Sequence, residues 1–580
     1  MSLPHLDVYL ESYQLALIDD SNPKKGRCIV ALEPLSRGSI ITTSQPLATV
    51  TLQANRNEFC NYCFKKPQAM SPKVMPLQRC TQCRAAYFCN VSCFKNAWLG
   101  YHQFVCKASS TSASNKAASS EDPDTLDAEM LERVALNVGR YNQKEKNDRD
   151  AFGEEGERQE ETVDVTMEAF LSLMGHVEDQ PKNVLNRYKR IADGVLKKPY
   201  IASLGLSQQQ LVEFLCWFQC NNFSIQDNQM FTIGEGTYPV ASLFNHSCRP
   251  NAVAMFDGAL LNIRAIVDIP SGEEVTIAYI DAAHSRTVRQ KTLREKYFFN
   301  CDCVRCTDNT FFGQIDTMLG EEETDWDRAQ RVLDPSNTKD NLRQEIAKQV
   351  EGDSWDLLEM CRIYDRKSNC VPKPSKPLTL STYAHCFVQF FSPYLWSSHN
   401  PRLLITSPSL HNYRAQVDRL EDPQPPAARP PVRDTADEIL STSISLALSY
   451  PTYPGALIPY RLSTLAAATS YFYDMMADGH WENSVKIGMY IAIQYCFIYP
   501  QYHPIMAQHL LMLAKASWNS IVQLELLHHG RALDKLYDNG FRRWIALSKE
   551  TIQSTFGKQS DQWREVLELE WIFMREQKLK

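Results

Sequence analysis

The sequence predicts an α+β multidomain protein: a β-rich domain split by a metal-binding insert, closed by a Cys-rich flap and followed by an all-α region. Three observations carry this. Short runs that alternate apolar and polar residues stand on both sides of a Cys/His-rich segment, a cysteine triplet ends the second β-rich stretch, and beyond it apolar residues recur at helical spacing. At 580 residues the chain exceeds a single core, since domains hold roughly 100 to 200 residues each. Lys plus Arg number 61 against 68 Asp plus Glu, a formal charge of −7, which leaves no basic excess for a polyphosphate partner and disfavours direct nucleic-acid binding.

Taken in order, residues 1–55 read as short strands, with turn signals at Gly26 and Gly38. Met1 to Asp20 mixes acidic with apolar residues and lacks a basic start followed by an apolar run, so it does not read as a secretory signal. Nuclear and/or cytoplasmic residence is the expectation. The Cys/His-rich insert covers 56–107. Residues 108–165 read as a flexible loop or linker, because Ala108 to Asp122 is rich in Ser, Ala and Asn and Lys144 to Asp164 is almost wholly polar. Helical spacing returns over 166–230, where Leu211, Phe214, Leu215 and Phe218 share a face. Strands resume over 231–282, with turns expected at Gly234-Glu235-Gly236, Asp257-Gly258 and Ser271-Gly272. The flap is 283–310. Residues 311–580 read as helices around a Pro-rich break near 423–431, and paired helices from Ala436 to His528 suggest a repeat array. Ile487 to Pro500 falls short of the roughly 18 apolar residues of a membrane span and reads as a core helix.

Of the 18 cysteines, eleven stand at metal-ligand positions, seven in the insert, three in the flap and Cys248 before it. The insert offers Cys60-x-x-Cys63, Cys80-x-x-Cys83, Cys89-x-x-x-Cys93 and His102-x-x-x-Cys106, eight ligands for two tetrahedral zinc ions with none left over. The flap offers Cys301-x-Cys303-x-x-Cys306. A four-thiolate site needs one more sulfur, and Cys248 is the donor expected. Cys28, Cys216, Cys220, Cys361, Cys370, Cys386 and Cys496 read as buried thiols.

Cys248 lies within Asn245-His246-Ser247-Cys248-Arg249-Pro250-Asn251, and downstream comes Gly272-Glu273-Glu274-Val275-Thr276-Ile277-Ala278-Tyr279. These motifs with the cysteine triplet resemble the active-site half of a SET-domain lysine methyltransferase. The insert, with Tyr87 and Phe88 before Cys89, resembles a MYND zinc finger, which implies interleaved ligands: Cys60, Cys63, Cys89 and Cys93 on one ion, Cys80, Cys83, His102 and Cys106 on the other. Over nearly its full length the chain therefore resembles the SMYD (SET and MYND) family. Segments 1–55 and 231–282 are then halves of the SET domain, 56–107 the MYND finger, 166–230 a helical SET insert, 283–310 the post-SET zinc segment and 311–580 a TPR-like domain.

The resemblance implies S-adenosylmethionine as methyl donor, with three structural zinc ions. It places the donor at Lys25, Gly26, Arg27, His176, Asn221, Asn245, His246, Tyr279, Tyr297 and Phe299, the lysine channel at Phe223, Tyr279 and Tyr297, and the catalytic hydroxyl on Tyr279. Partners implied are a lysine-bearing protein or histone substrate and a proline-containing peptide at the finger, which could equally serve as a folding staple; a monomer with no membrane contact is expected. The chemistry asks for such residues. Displacement at a sulfonium methyl needs an amine that is aligned and deprotonated, and an aromatic channel disfavours the charged ammonium. One position departs from the family pattern: Cys28 replaces the second glycine of the early turn, where a positive φ would cost about 1 kcal/mol or more. That departure supports a second reading, a catalytically weak interaction scaffold, and a third, a metal-dependent nucleic-acid binder, is disfavoured by the acidic balance.

Overall fold

The computed structural model describes residues 3–19, 26–67, 76–106, 123–151, 162–320, 342–352, 377–380, 383, 444–452, 457–526 and 541–579. The chain divides into two compact units. The first comprises 1–246, 250–277 and 294–299, the second 247–249, 278–293 and 300–580.

The first unit carries all twelve strands found among the described residues: β1 Leu15–Asp19, β2 Arg27–Ala31, β3 Ile40–Ser44, β4 Ala48–Thr51, β5 Gln78–Arg79, β6 Tyr87–Phe88, β7 Asn222–Gln226, β8 Thr232–Thr237, β9 Asn245–His246, β10 Ala252–Asp257, β11 Leu260–Ala265 and β12 Thr276–Ile277. They form small sheets in the orders β1-β2, β10-β11-β3, β4-β8-β7, β5-β6 and β12-β9. Alternation drives the pairing. Along β11, Leu261, Ile263 and Ala265 are buried while their neighbours are partly exposed, so only one register hides the apolar face.

Two glycine positions report close approaches. Gly258 turns β10 into β11 at φ +63°, and a Cβ there would lie 2.3 Å from the Cys63 carbonyl oxygen. The hairpin thus seats the zinc-binding insert, a contact reinforced by the Lys65 to Asp257 ion pair at 2.8 Å. Gly234 and Gly236, expected in a turn, lie instead within β8. A Cβ on Gly234 would meet the Phe64 ring at 2.4 Å and the Val50 oxygen at 2.7 Å, so glycine here serves packing against a strand neighbour.

Three further expectations need correction. Pro4–Ser12 is a helix preceding the strands, with Leu6 and Leu10 buried. Within the span read as linker, Pro123–Ala151 is one 29-residue helix and Thr162–Leu171 another, while 108–122 and 152–161 lie outside the described residues. The long helix has a buried apolar half, Met130, Leu131, Val134, Ala135, Leu136 and Val138, that the charged run after it conceals from a composition reading. It is fastened by Asn137 Nδ2 donating to the Leu47 carbonyl at 2.6 Å, by Arg133 donating to the Thr49 carbonyl, and by the Arg133 guanidinium 3.7 Å from the centre of the Tyr101 ring. The segment 166–230 is helical up to Asn221, whereas Asn222–Gln226 already belongs to the sheet.

The second unit is helical: Phe311–Leu319, Leu342–Glu351, Leu462–Ala477, Trp481–Ile498, Pro504–Leu526, Arg542–Thr555 and Asp561–Leu579 share one apolar core. Ile487 to Ile498 lies in a helix buried nearly all round, as its continuous apolar run demands. The Pro-rich segment 423–431 and the first part of the expected array fall outside the described residues. No helix among the described residues is long and apolar enough to cross a membrane.

His509 is buried in this core, its Nε2 on the Gly488 carbonyl at 2.8 Å, and burial lowers its pKa to about 4. The folded state keeps the ring neutral while an unfolded chain protonates it below about 6.5, so its share of stability is present above that pH and lost on acidification toward 4. We expect this group to cost about 2 kcal/mol of stability between pH 7 and pH 5. Urea denaturation at both pH values should show a smaller loss in His509→Gln than in the wild type.

Candidate active site

Three groups of metal-ligating side chains are found among the described residues: Cys60, Cys63, Cys89 and Cys93; Cys80, Cys83, His102 and Cys106; and Cys248, Cys301, Cys303 and Cys306. In each, all four donor atoms lie within 4.8 Å of one another, and the donors are the sulfur and imidazole set that tetrahedral zinc takes. The interleaving in the insert is the one expected. Hairpin β5-β6 and the helix Val91–Ala97 present its ligands, the helix being capped by Asn90, whose Oδ1 accepts from the Cys93 amide at 2.8 Å. Burial lowers the His102 pKa, which favours the neutral ring a metal requires.

The flap cluster lies wholly in the second unit. Cys248 Sγ stands 3.6 Å from Cys306 Sγ. Behind it, fully buried Arg289 places Nη2 4.0 Å from Cys306 Sγ and pairs with Asp316 at 2.9 Å, while Nη1 donates to the His284 carbonyl at 2.6 Å. Four thiolates around one Zn²⁺ carry a net charge of −2, and a buried guanidinium beside them offsets it.

In the first unit β9 and β12 pair in parallel, Asn245 opposite Thr276 and His246 opposite Ile277. The chain therefore runs from β12 directly into Ala278 and Tyr279, which belong to the second unit. Asn245 Nδ2 donates to the Arg27 carbonyl at 2.8 Å and to Glu274 Oε1 at 2.9 Å, which locks the Asn-His motif to the early turn and to the Gly-Glu-Glu motif at once. Gly26 opens that turn at φ +68°, with nothing within 4 Å of where a Cβ would stand. The Arg27 guanidinium is occupied, Nη2 donating to the Ser172 carbonyl at 2.5 Å. Lys25 lies outside the described residues.

Cys28 lies in β2 opposite Ile18, extended and buried, and the left-handed residue of the turn is Gly26. A side chain at Cys28 therefore carries no conformational cost.

The other sites expected in the first unit have the following neighbours. His176, at φ +49°, stacks on Phe298 with ring centres 5.0 Å apart and 27° between planes, and its Nδ1 lies 3.2 Å from Asp179. Asn221 Nδ2 donates to the carbonyls of Trp217 at 2.7 Å and Met174 at 3.2 Å, and its own carbonyl accepts from Ser242 Oγ at 3.1 Å. His246 faces Phe299 at 6.0 Å between ring centres. Phe223 packs edge-on to buried Tyr238 at 5.9 Å. The sequence reading missed Phe298, which stands between Tyr297 and Phe299 at φ +61°; that backbone turn aims its ring at His176, and no residue type signals it. Glu274 was read only as part of a turn motif. Cys220 was read as a buried thiol, and its Sγ reaches the Lys296 carbonyl at 3.6 Å while burial raises its pKa to about 11.

His176, Asn221, Phe223, Asn245, His246 and Tyr297 to Phe299 are all partly exposed, and the Gly26 turn is open. The SET domain model matches residues 26–280, from the Gly26 turn to one residue beyond Tyr279. N-lysine methyltransferase SMYD2 of Homo sapiens is 27% identical over 353 residues, 60% of this chain and 73% of that protein. Histone-lysine N-methyltransferase SMYD3 of Homo sapiens is 30% identical over 314 residues, 53% of this chain and 65% of that protein. The SET-domain match and these relatives support the SMYD methyltransferase family. A plant relative, histone-lysine N-methyltransferase ASHR1 of Arabidopsis thaliana, is 28% identical over 292 residues, 49% of this chain and 54% of that protein. The chain combines a SET fold built of small sheets with a helical C-terminal region and three clusters that fit three zinc sites.

Proposed function

We infer that the protein is an S-adenosylmethionine-dependent protein-lysine N-methyltransferase. The observation that carries this reading is the parallel β9–β12 pair, with Asn245 clamped to Arg27 and Glu274, because it sets the Asn-His motif beside the strand that runs on into Tyr279. Gly26, Arg27, His176, Asn221, Asn245, His246, Tyr279, Tyr297 and Phe299 are the residues we assign to the donor, and we add Phe298. When bound, S-adenosylmethionine supplies an electrophilic methyl group on a sulfonium.

The chain's own residues do the rest. Asn245 spends its amide on Arg27 and Glu274 and so fixes the backbone rather than reaching for a ligand. Carbonyl oxygens of such a fixed backbone can accept weak C–H bonds from a polarised methyl. Phe223, Tyr279 and Tyr297 receive the lysine-channel role: aromatic walls penalise the ammonium, lower the substrate's pKa and expose its lone pair. The Tyr279 hydroxyl orients the amine. Each cluster offers four protein ligands, so a zinc held there would have no open position and would serve structure.

The substrate is a lysine in histones, in other proteins or in both. The insert is assigned as a MYND finger able to take a proline-containing peptide, and the helical array as a TPR-like domain. Both rest on family resemblance, supported by the interleaved zinc ligands and the consecutive helices. The scaffold reading loses its main support with Cys28 placed in a strand.

Calorimetric titration with S-adenosylmethionine tests the proposal. The wild type should bind, and Asn245→Ala, which loses two hydrogen bonds including one to a carboxylate, should bind roughly 10- to 100-fold more weakly. Absence of binding to the zinc-replete wild type would return the scaffold reading.

A further inference from the structure

Within the second unit, the segment that carries Tyr279 is tied to the end of a helix far along the chain. Tyr499 immediately follows the helix Trp481–Ile498. It is buried, its ring stacked on His503 at 4.5 Å between centres with 18° between planes, and set edge-on to Tyr495 at 5.5 Å. Held between two rings, it has one direction in which to point its hydroxyl, which donates to Asp281 Oδ1 at 2.8 Å. The same oxygen accepts from the Ala283 amide at 2.9 Å, so the carboxylate bridges its own loop and the helix end. Burial and the neighbouring Asp281 carboxylate hold the Tyr499 phenol well above its ordinary range, which keeps it a donor. The residue before it is anchored too, the Ile498 carbonyl accepting from buried Arg305 Nη1 at 2.7 Å.

Asp281 stands two residues after Tyr279. We propose that Tyr499 is a positioning residue for methyl transfer: by holding the Asp281 carboxylate it fixes the segment 278–283 and with it the direction of the Tyr279 hydroxyl. The proposal rests on the role of Tyr279 assigned above. It gives the helical region a part in aligning the reaction in addition to any contact with substrate. Misplacing a catalytic group by about an ångström costs up to about 10²-fold in rate, and loss of one of the two bonds to Asp281 leaves the loop still half held.

Two measurements on the full-length, zinc-loaded chain test it. The first is hydrogen exchange at residues 278–283, which needs no substrate. Tyr499→Phe keeps the ring and removes the hydroxyl, so exchange should rise in this segment and stay unchanged in the core helices; unchanged exchange at 278–283 overturns the proposal. The second is turnover on purified core histones with radiolabelled S-adenosylmethionine. We expect kcat to fall on the order of tenfold in Tyr499→Phe with the donor KM unchanged. Asp281→Asn, whose amide oxygen still accepts the bond, should keep most of kcat, while Asp281→Ala, which removes both bonds, should lose at least as much as Tyr499→Phe. Wild-type kcat in Tyr499→Phe, or equal losses in the Asn and Ala variants, would also overturn it. A wild type that neither methylates histones nor binds S-adenosylmethionine, with the expected change in exchange, would instead indict the methyltransferase reading and leave the tether standing.

Discussion

Tyr279→Phe is expected to fold, to keep its zinc and to lose methyl transfer by two to three orders of magnitude, the loss typical when one preorganised donor is removed from an active site. The substitution deletes one oxygen from a partly exposed side chain that lies outside the buried core, so stability has little to lose. The zinc ligands are other residues, and the β9–β12 pairing ends before it. Donor affinity should stay within a few-fold, because the hydroxyl acts on the amine and the transferred group. Steady-state turnover with calorimetry on the same preparation separates the two effects. Full turnover in the variant would sink the assignment of Tyr279.

Cys248→Ala is expected to take about one of three equivalents of zinc from the chain and to lower both stability and turnover. Three remaining thiols can still hold a metal, but the fourth position then falls to water and affinity drops steeply. The electrostatic consequence is larger than the missing bond. With zinc gone the thiols regain protons and the site loses its net negative charge, leaving Arg289 and Arg305, both fully or almost fully buried, with Asp316 as the carboxylate that pairs with Arg289. Uncompensated buried charge costs about 3 to 5 kcal/mol. Zinc content by atomic absorption and a thermal melt should fall together, whereas a variant with full zinc content and an unchanged melt would show that Cys248 is no ligand. Asn245 and His246 immediately precede this segment in the chain, so turnover should fall even if some metal is retained.

What could be read from the sequence was what spacing encodes. Most of the ligands stand close together in the chain and each ion needs four, so all twelve positions were legible, including Cys248 far from its triplet. Asn245 and Gly26 were legible through motifs. Phe298 was not, because its role comes from a positive φ that neither its own identity nor its neighbours announce. Neither was the strand character of Gly234 and Gly236, since a glycine needed for close packing has the same letter as one needed for a turn. The helix Pro123–Ala151 was hidden by its own asymmetry: an apolar half packs near the start, and a charged half averages the composition toward that of a linker. Cys28 teaches the converse. A departure from a family pattern suggested strain, and extended backbone at that position means none exists.

The distribution of the zinc ligands along the chain also sets a timetable. Domains fold broadly as they leave the ribosome, amino-terminal parts first. One ion of the insert has its full ligand set once Cys93 has emerged and the other once Cys106 has, so both can be captured early and locally. The third must wait: Cys248 emerges without partners, and three more strands and the helix Arg286–Tyr297 are synthesised before Cys301, Cys303 and Cys306 arrive. Capture of that third ion therefore follows the other two, and a nascent protein can own a finished insert well before its SET domain is closed.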